Sequence, residues 1–544
     1  MRLIPPHILL IITVISLSLP NIVLSVTEPM SWMARLCNII LPVSAYLLLM
    51  TLLRNTGKMV WAMFILIFLA AFQLVLLYLF GGSIIAVDMF LNLLTTNTGE
   101  VSELLSSLIP AVAMVAVIYL PILYFAIRGA FDKSYRLADR FIVRFRQWGT
   151  ACLALGLISL AGCYSTEEYQ ASDDLYPVNV GYNIGLAVER TCRTARYADT
   201  SAGFIYDART THPDSCREVY ILVIGETARA DNFSLFGYSR DTTPLLSSTE
   251  GLITYPKAFT QSNTTHKSVP MLLSAASAED YNRIYREKGI ITAFKEAGFH
   301  TSFISNQRPN HSFIDFFGKE ADSWEFLKEE LPESANVPDG DMTGLVKKIL
   351  DGGHMREFIV LHTYGSHFKY RERYPHDIAE FLPYEASEAT PDNRCSLINA
   401  YDNSILYTDR FLHSLITELK ESRTESGLIY ASDHGENIFD DERGLFLHAS
   451  PRPSIYELHV PMMIWLSDEY RERYPDIHSE LLSHSEKQVI TSLSVFHTTL
   501  HIAGINTRHR IDSLSLASAH YHPAPYNYLS DRNIPVPVSK IIRK

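Results

Sequence analysis

The sequence predicts a protein in two parts: an α-helical membrane domain of five spans, then an α/β domain whose mostly parallel sheet is covered by helices. Three observations predict it. Nearly all the long apolar runs of the 544-residue chain lie before residue 165. The short loops between those runs differ sharply in charge. Beyond residue 218, short apolar runs alternate with helix-like runs, the pattern of strands buried on both faces. The hydrophobic fraction of 47% averages these two parts and describes neither.

A helical span needs roughly 20 apolar residues. Runs near 4–25, 33–53, 59–81, 104–127 and 148–163 approach or meet that length. The third, VWAMFILIFLAAFQLVLLYLF, has no charge, and the fifth, WGTACLALGLISLAGC, is the shortest. Arg2, the first run and the small residues near Ser25 also fit a cleaved leader. The spans that follow it and Pro20 within it favour a retained helix. Arg54 and Lys58 follow span two, and Arg128, Lys133, Arg136, Arg140, Arg144 and Arg146 follow span four. Residues 82–103 hold Asp88, Glu100 and Glu103 but no Lys or Arg. Basic loops stay in the cytoplasm, so five spans place everything after residue 164 outside, which is the periplasm in a bacterium with two membranes. Leu160-Ala161-Gly162-Cys163 matches a lipoprotein-processing box. Such signals begin chains, and small residues ending a helix account for it here.

Residues 165–217 read as a polar, Tyr-rich connector, partly irregular and lying over the membrane surface. Cys192 and Cys216 fall in it, and Cys395 lies further on. A Cys192–Cys216 bridge would close a loop of about 25 residues and contribute about 3 kcal/mol in the chain-entropy model, leaving Cys395 unpaired. No CxxC spacing occurs, which argues against a thiolate metal site. The net charge of −12 argues against nucleic acid as a partner, because phosphate backbones need a basic face.

From residue 218 the runs VYILVIG, FHTSFISN, REFIVLHTYG, SGLIYASDHG and HVPMMIWLS predict strands. Gly289–Gly298 and the run from Ser396 to about Glu421 predict helices between them. The closing NIPVPVSKIIRK reads as an exposed tail. Gly225-Glu226-Thr227 follows the first strand, His362, Gly365, Ser366 and His367 the third, and Asp433-His434-Gly435-Glu436 the fourth. In open α/β sheets ligands bind beyond the carboxyl ends of the strands, so these segments converge on one expected site.

Glu226, Asp433 and His434 are two carboxylates and an imidazole, a donor set suited to a catalytic zinc with an open position. Taken alone, an Asp-His pair at a strand end is an ordinary turn. Its combination with His448, His362 and His367 makes metal chemistry the better reading. The segment from Ser262 to Met271 offers hydroxyls ahead of Pro270, which suits the first turn of a helix. Thr264 and Thr265 would then lie at a helix N-terminus, where N–H groups stabilise an anion. Without the metal residues, an N-cap would explain them. Zinc can activate a hydroxyl at neutral pH, so one of them is a candidate nucleophile.

The motifs GETARADNFSLFGYSRDTTP (225–244), TTHKSVP (264–270), LHTYGSHFKYRERYP (361–375), NAYDNSILYTD (399–409) and SDHGEN (432–437) resemble those of the phosphoethanolamine transferases of Gram-negative bacteria. That family belongs to the alkaline phosphatase/sulfatase superfamily, and the resemblance extends over nearly the whole chain. It implies domains at 1–164 (membrane), 165–217 (connector) and 218–544 (catalytic). It implies Thr265 as nucleophile and Glu226, Asp433, His434 and Thr265 as ligands of one zinc. His367 and His448 match histidines that bind substrate or a second zinc. Asn306 is similar to a donor-site residue, with Arg308 or His311 as its basic companion. Asn92, Thr96 and Glu100 match the spacing of lipid-donor contacts, and positions four apart share a helix face. The activity implied is transfer of phosphoethanolamine from phosphatidylethanolamine to lipid A or another envelope glycan, through a threonine-linked intermediate. A phosphoglycerol transferase or a sulfatase-like hydrolase would use the same fold. Cysteines that bracket the nucleophile in several relatives are replaced here by Gln261 and Met271.

Overall fold

The computed structural model describes residues 3–28, 30–79, 98–164, 169–332, 335–386, 389–450 and 452–542, and of residues 78–79 and 98–108 the backbone alone. The described chain divides into two units, with the main break between Glu189 and Arg190 and with residues 98–103 grouped with the second unit.

The first unit is helical: α1 (Pro6–Thr27), α2 (Trp32–Met50), α3 (Thr56–Ala62), α4 (Phe64–Leu79), α5 (Thr98–Phe131) and α6 (Asp139–Tyr164). Four of its helices are long and apolar enough to cross a membrane: α1, α2, the 109–131 stretch of α5, and α6. The third expected span is instead a pair, α3 and α4, bent by 61°. The fifth expected span starts earlier than its apolar run, because α6 continues upstream through Arg146, Arg144 and Arg140. Arg146 explains part of that extension. Its Nε donates to Thr51 Oγ1 at 3.2 Å and its Nη2 to the Thr51 carbonyl at 3.0 Å, capping the end of α2. Some buried polar side chains find partners within the bundle, as an apolar surround favours. Asn21 Nδ2 donates to the Tyr176 carbonyl (3.0 Å), and Tyr119 donates to the Ser16 carbonyl (2.8 Å).

The expected irregular connector is largely helical. Ala171–Asp174, α7 (Val178–Ala195) and Tyr197–Ser201 occupy most of it. Tyr169 and Leu175 pack with Ala34, Cys37 and Cys163, so the first half of this stretch has a buried apolar face. Its Tyr content, taken as a surface feature, supplies core. Neither Cys192 nor Cys216 forms a disulfide, nor does Cys395.

The second unit is built on a seven-stranded sheet. Its strands are β1 (Glu218–Gly225), β2 (Leu252–Thr254), β3 (His300–Ser305), β4 (Ser323–Phe326), β5 (Arg356–His362), β6 (Glu425–Ser432) and β7 (Met462–Leu466). Their spatial order is β2-β7-β6-β1-β5-β3-β4. The five strands from β6 to β4 are mutually parallel, and β7 and β2 add an antiparallel edge. All eight residues of β1 and of β6 are buried, which is why each is centred on an apolar run, 219–224 in β1 and 428–431 in β6. The helix expected from Ser396 is α9 (Arg394–Ser422), and the one expected at 289–298 is Ile290–Glu296.

Two local expectations are corrected. The tail is not simply exposed: Pro535–Pro537 pairs antiparallel with Asn527–Leu529, and Val538 packs with Leu458 and Tyr528. Pro270 does not open its helix. That helix, α8, runs Thr265–Leu272 with Thr264 as N-cap, and Pro270 lies inside it. The Thr264 carbonyl accepts from Lys267 N (3.1 Å) and Ser268 N (3.0 Å), so the first turn closes two residues before the proline.

Candidate metal and nucleophile site

The carboxyl ends of β1, β5 and β6 bring the expected residues together. Glu226 follows β1, and Asp433 and His434 follow β6, its parallel neighbour in the sheet. One ligand atom from each of the three lies within 4.8 Å of the others, and all three side chains are buried. Thr265, the first residue of α8, completes the group. Its Oγ1 is 3.1 Å from Glu226 Oε1 and 3.1 Å from His434 Nε2. His434 Nε2 lies 3.3 Å from Asp433 Oδ2 and 3.7 Å from Glu226 Oε1. Thr265 is the partly exposed member, so the hydroxyl stands at the mouth of a buried charged cluster.

The group has the chemistry of a metal site. His434 Nδ1 lies 2.8 Å from the Gly435 carbonyl, which fixes the proton there and leaves the Nε2 lone pair facing the carboxylates. Glu226 accepts from Thr227 Oγ1 (2.7 Å) and Gln307 Nε2 (2.9 Å). Asp433 accepts from Thr227 N (3.0 Å), His434 N (2.6 Å) and Ser268 Oγ (3.2 Å). None of these donors carries a full charge. Two buried carboxylates facing one imidazole are costly unless a cation joins them. Burial pushes the Asp433 carboxyl above the usual range. Burial draws His434 down, but the neighbouring carboxylates prevail and its pKa stands above the ordinary value. A divalent ion bound by Glu226, Asp433, His434 and Thr265 fits this donor set.

The backbone is shaped to hold these side chains. Thr227 has φ +60°, a costly conformation for a β-branched residue. It is held by its bonds to Asp433 and Glu226 and by Tyr401, whose hydroxyl donates to the Thr227 carbonyl at 2.7 Å. Gly365 has φ +49°, and a Cβ there would lie 2.5 Å from the Glu226 carbonyl oxygen, so glycine is required. The motifs at 225–244 and 399–409 brace each other. From α9, Asp402 accepts from Asn232, Tyr238 and Arg240, and Asp409 accepts from the N–H groups of Leu245 and Leu246.

The remaining candidates separate. His448 packs beside His434, ring centroids 4.1 Å apart, and its Nδ1 is 3.2 Å from Glu436 Oε1. His367 is 6.3 Å from His448, centroid to centroid, and its Nδ1 is 2.7 Å from the Phe368 carbonyl. Burial holds His448 well below the ordinary histidine value and pulls His367 down to about 4. His362 is buried behind them, 3.1 Å from Ser305 Oγ, and burial pulls it down to about 4 as well. Asn306 serves the scaffold: its Nδ2 donates to Asp339 Oδ1 (2.7 Å) and to the Val337 carbonyl (2.8 Å). Arg308 is engaged with the carbonyls of Leu331 and Pro332, and His311 donates its N–H to Asp315. Asn92 and Thr96 lie outside the described residues, as does the side chain of Glu100.

Sequence reasoning did not single out Gln307, Ser268, Glu436 or Asp339 as site residues. Gln307 bridges Glu226 and the Thr363 carbonyl, and Asp339 accepts from the N–H groups of Tyr364 and Gly365. Of these four, Ser268 and Glu436 lie within the motifs at 264–270 and 432–437, and Gln307 and Asp339 lie outside every motif.

A family model described as Sulfatase matches residues 218–505. The chain belongs to the sulfatase family. This sulfatase-family chain is 32% identical over 281 residues to Kdo(2)-lipid A phosphoethanolamine 7''-transferase of Escherichia coli K12, covering 49% of this chain and 47% of that protein. It is 29% identical over 311 residues to phosphoethanolamine transferase EptA of the same strain, covering 54% of each. It thus spans about half the length of the curated relatives it matches. Among solved structures, the soluble domain of lipooligosaccharide phosphoethanolamine transferase A from Neisseria meningitidis aligns with TM-score 0.53 at 27% identity, over 58% of this chain and 97% of that one. The integral membrane EptA of Neisseria meningitidis shares the fold over 95% of this chain and 99% of its own, with TM-score 0.75 and 23% identity.

Proposed function

We propose that this chain transfers phosphoethanolamine from phosphatidylethanolamine to an envelope acceptor, lipid A or a related glycan, with Thr265 as the nucleophile. The observation that carries the reading is Thr265 Oγ1, 3.1 Å from both Glu226 Oε1 and His434 Nε2 at the start of α8. The relatives named as phosphoethanolamine transferases support the choice of transferred group. The apolar helices support a multi-pass inner-membrane protein. The basic loops support a periplasmic catalytic domain. Donor and acceptor are both amphiphiles, so an anchored enzyme meets them where a soluble one would not.

Glu226, Asp433, His434 and Thr265 would hold a zinc ion, which when bound lowers the proton affinity of the Thr265 hydroxyl and offsets charge on the phosphoryl oxygens. Thr265 Oγ1 gives up its proton and forms a bond to the donor phosphorus as the phosphorus–oxygen bond to diacylglycerol breaks, and the departing diacylglycerol oxygen takes up a proton in its place. An acceptor oxygen then displaces Thr265 Oγ1 from phosphorus. His448 or His367, held below the ordinary histidine value by burial, would take the proton of the incoming acceptor, a contribution of about 10²–10⁴-fold for a positioned base. Gln307, Ser268 and Thr227 hold the carboxylates in place throughout.

The test is to incubate the full chain with amine-labelled phosphatidylethanolamine in detergent and to isolate the labelled peptide. Label on the peptide containing Thr265, with its amine, supports the reading. A glycerol-phosphate adduct would indicate a phosphoglycerol transferase, and hydrolysis without any adduct would indicate a hydrolase.

A further inference from the structure

The amino ends of the strands in the same sheet carry a second group of side chains of metal-ligating type. β3 begins at His300 and β5 at Arg356, and the register of these parallel neighbours sets His300 against Glu357. His300 Nδ1 lies 3.1 Å from Glu357 Oε2. His354, in the turn just before β5, stacks its ring on that of His300, centroids 4.1 Å apart and 5° between planes. One nitrogen of each imidazole and one oxygen of Glu357 lie within 4.8 Å of one another. Glu357 is fully buried, and its Oε1 has no hydrogen-bond partner. Such an oxygen costs free energy that a bound cation would remove. His300 and His354 line a cavity of about 260 Å³, together with Asp214, Cys216 and Arg356.

We propose that His300, His354 and Glu357 form a divalent transition-metal site, separate from the Thr265 centre, with a fourth position open to this cavity. Two imidazoles and one carboxylate suit zinc, cobalt, nickel or copper and poorly suit magnesium or calcium, which take all-oxygen sets. In a tetrahedral site with bonds of about 2.0–2.1 Å, ligand atoms stand ~3.3 Å apart, close to the His300–Glu357 spacing already present, and the exposed His354 ring turns out of the stack to share the ion, because two parallel imidazoles aim their in-plane lone pairs along parallel planes. Arg356 does not compete for the carboxylate, because it is engaged with Glu218 (2.8 Å) and Asp214 (2.9 Å). The ion would tie the start of β3 to the start of β5 and to the turn before it. The three ligands include no hydroxyl or thiol nucleophile, so the site acts as a clip on the sheet edge. A plain His–Glu ion pair with a stacked imidazole is the alternative, and it requires no metal.

The experiment titrates zinc into the full chain, stripped by chelator in detergent, in the Asp433→Asn/His434→Ala variant, whose Thr265 centre has lost two ligands. One zinc per chain is expected there, and adding His300→Ala/His354→Ala should abolish it. No zinc bound in the Asp433→Asn/His434→Ala chain would overturn the proposal, as would an isotherm unchanged by the histidine substitutions. Should that chain fail to fold, the wild type and His300→Ala/His354→Ala are compared directly by zinc content. The histidine variant should hold one zinc fewer, and equal content contradicts the site. Labelling of Thr265 by donor lipid should survive in His300→Ala/His354→Ala, so failure of this site and failure of the transferase reading are told apart.

Discussion

The two ends of one parallel sheet carry similar ligand types in different settings. At the carboxyl ends, Glu226, Asp433 and His434 are all buried, and Thr265 brings a hydroxyl and the start of a helix to them. At the amino ends, His300, His354 and Glu357 range from half-buried to exposed to buried, with no hydroxyl attached. The first setting invests several hydrogen bonds per carboxylate and a strained Thr227 to hold its ligands. The second rests on strand register and one ring stack. Ligand type alone therefore does not mark a reactive centre. Burial, bracing and a nucleophile within bonding range do.

The largest expected effect breaks the comparison at its distinguishing atom. Thr265→Ala should remove transfer to the detection limit while leaving zinc bound by the other three ligands, as read by turnover beside metal content. Next, Asp433→Asn should lose metal at the Thr265 centre and lower transfer by at least the 10–100-fold typical of disturbed metal shells. Activity retained after that change would show that the buried carboxylate is structural. Gln307→Leu and Ser268→Ala test the bracing and should each cost up to about 10–100-fold in activity or metal affinity. The edge cluster predicts the contrary pattern: His354→Ala should leave transfer within about twofold and lower the melting temperature in zinc-containing buffer.

The smallest effect concerns pH. Burial pushes the Glu457 carboxyl, which accepts from Asn263 near the nucleophile, up to about 7. Its folded-state pKa lies above the unfolded value, so its contribution is complete below about pH 4.5 and is lost as pH rises through 7. The melting temperature difference between wild type and Glu457→Gln should change across that window, and a constant difference would refute the assignment.

Strands β1, β3, β5, β6 and β7 were legible because each is an apolar run, and the carboxyl-end rule then gathered Glu226, His362, His367, Asp433 and His434. What stayed hidden depends on tertiary register and packing. His300 and Glu357 are 57 positions apart and meet only because β3 and β5 pair in one particular register. Gln307 and Asp339 carry no signal of their own, since their role is a hydrogen bond across loops. The helices at 171–201 and the folded tail escaped because their apolar faces are short and rich in Tyr or Pro. Pro270 misled because a proline is favoured in the first turn of a helix but tolerated later when the turn before it is already closed.

The central claim is that Thr265 becomes covalently linked to the phosphoryl group of the donor. Intact-protein mass spectrometry of the wild type and of Thr265→Ala, each mixed with phosphatidylethanolamine and no acceptor, tests it most directly. The account predicts a gain of one phosphoethanolamine on the wild type, mapped to the Thr265 peptide, and no gain on Thr265→Ala. An adduct of equal yield on Thr265→Ala would contradict it.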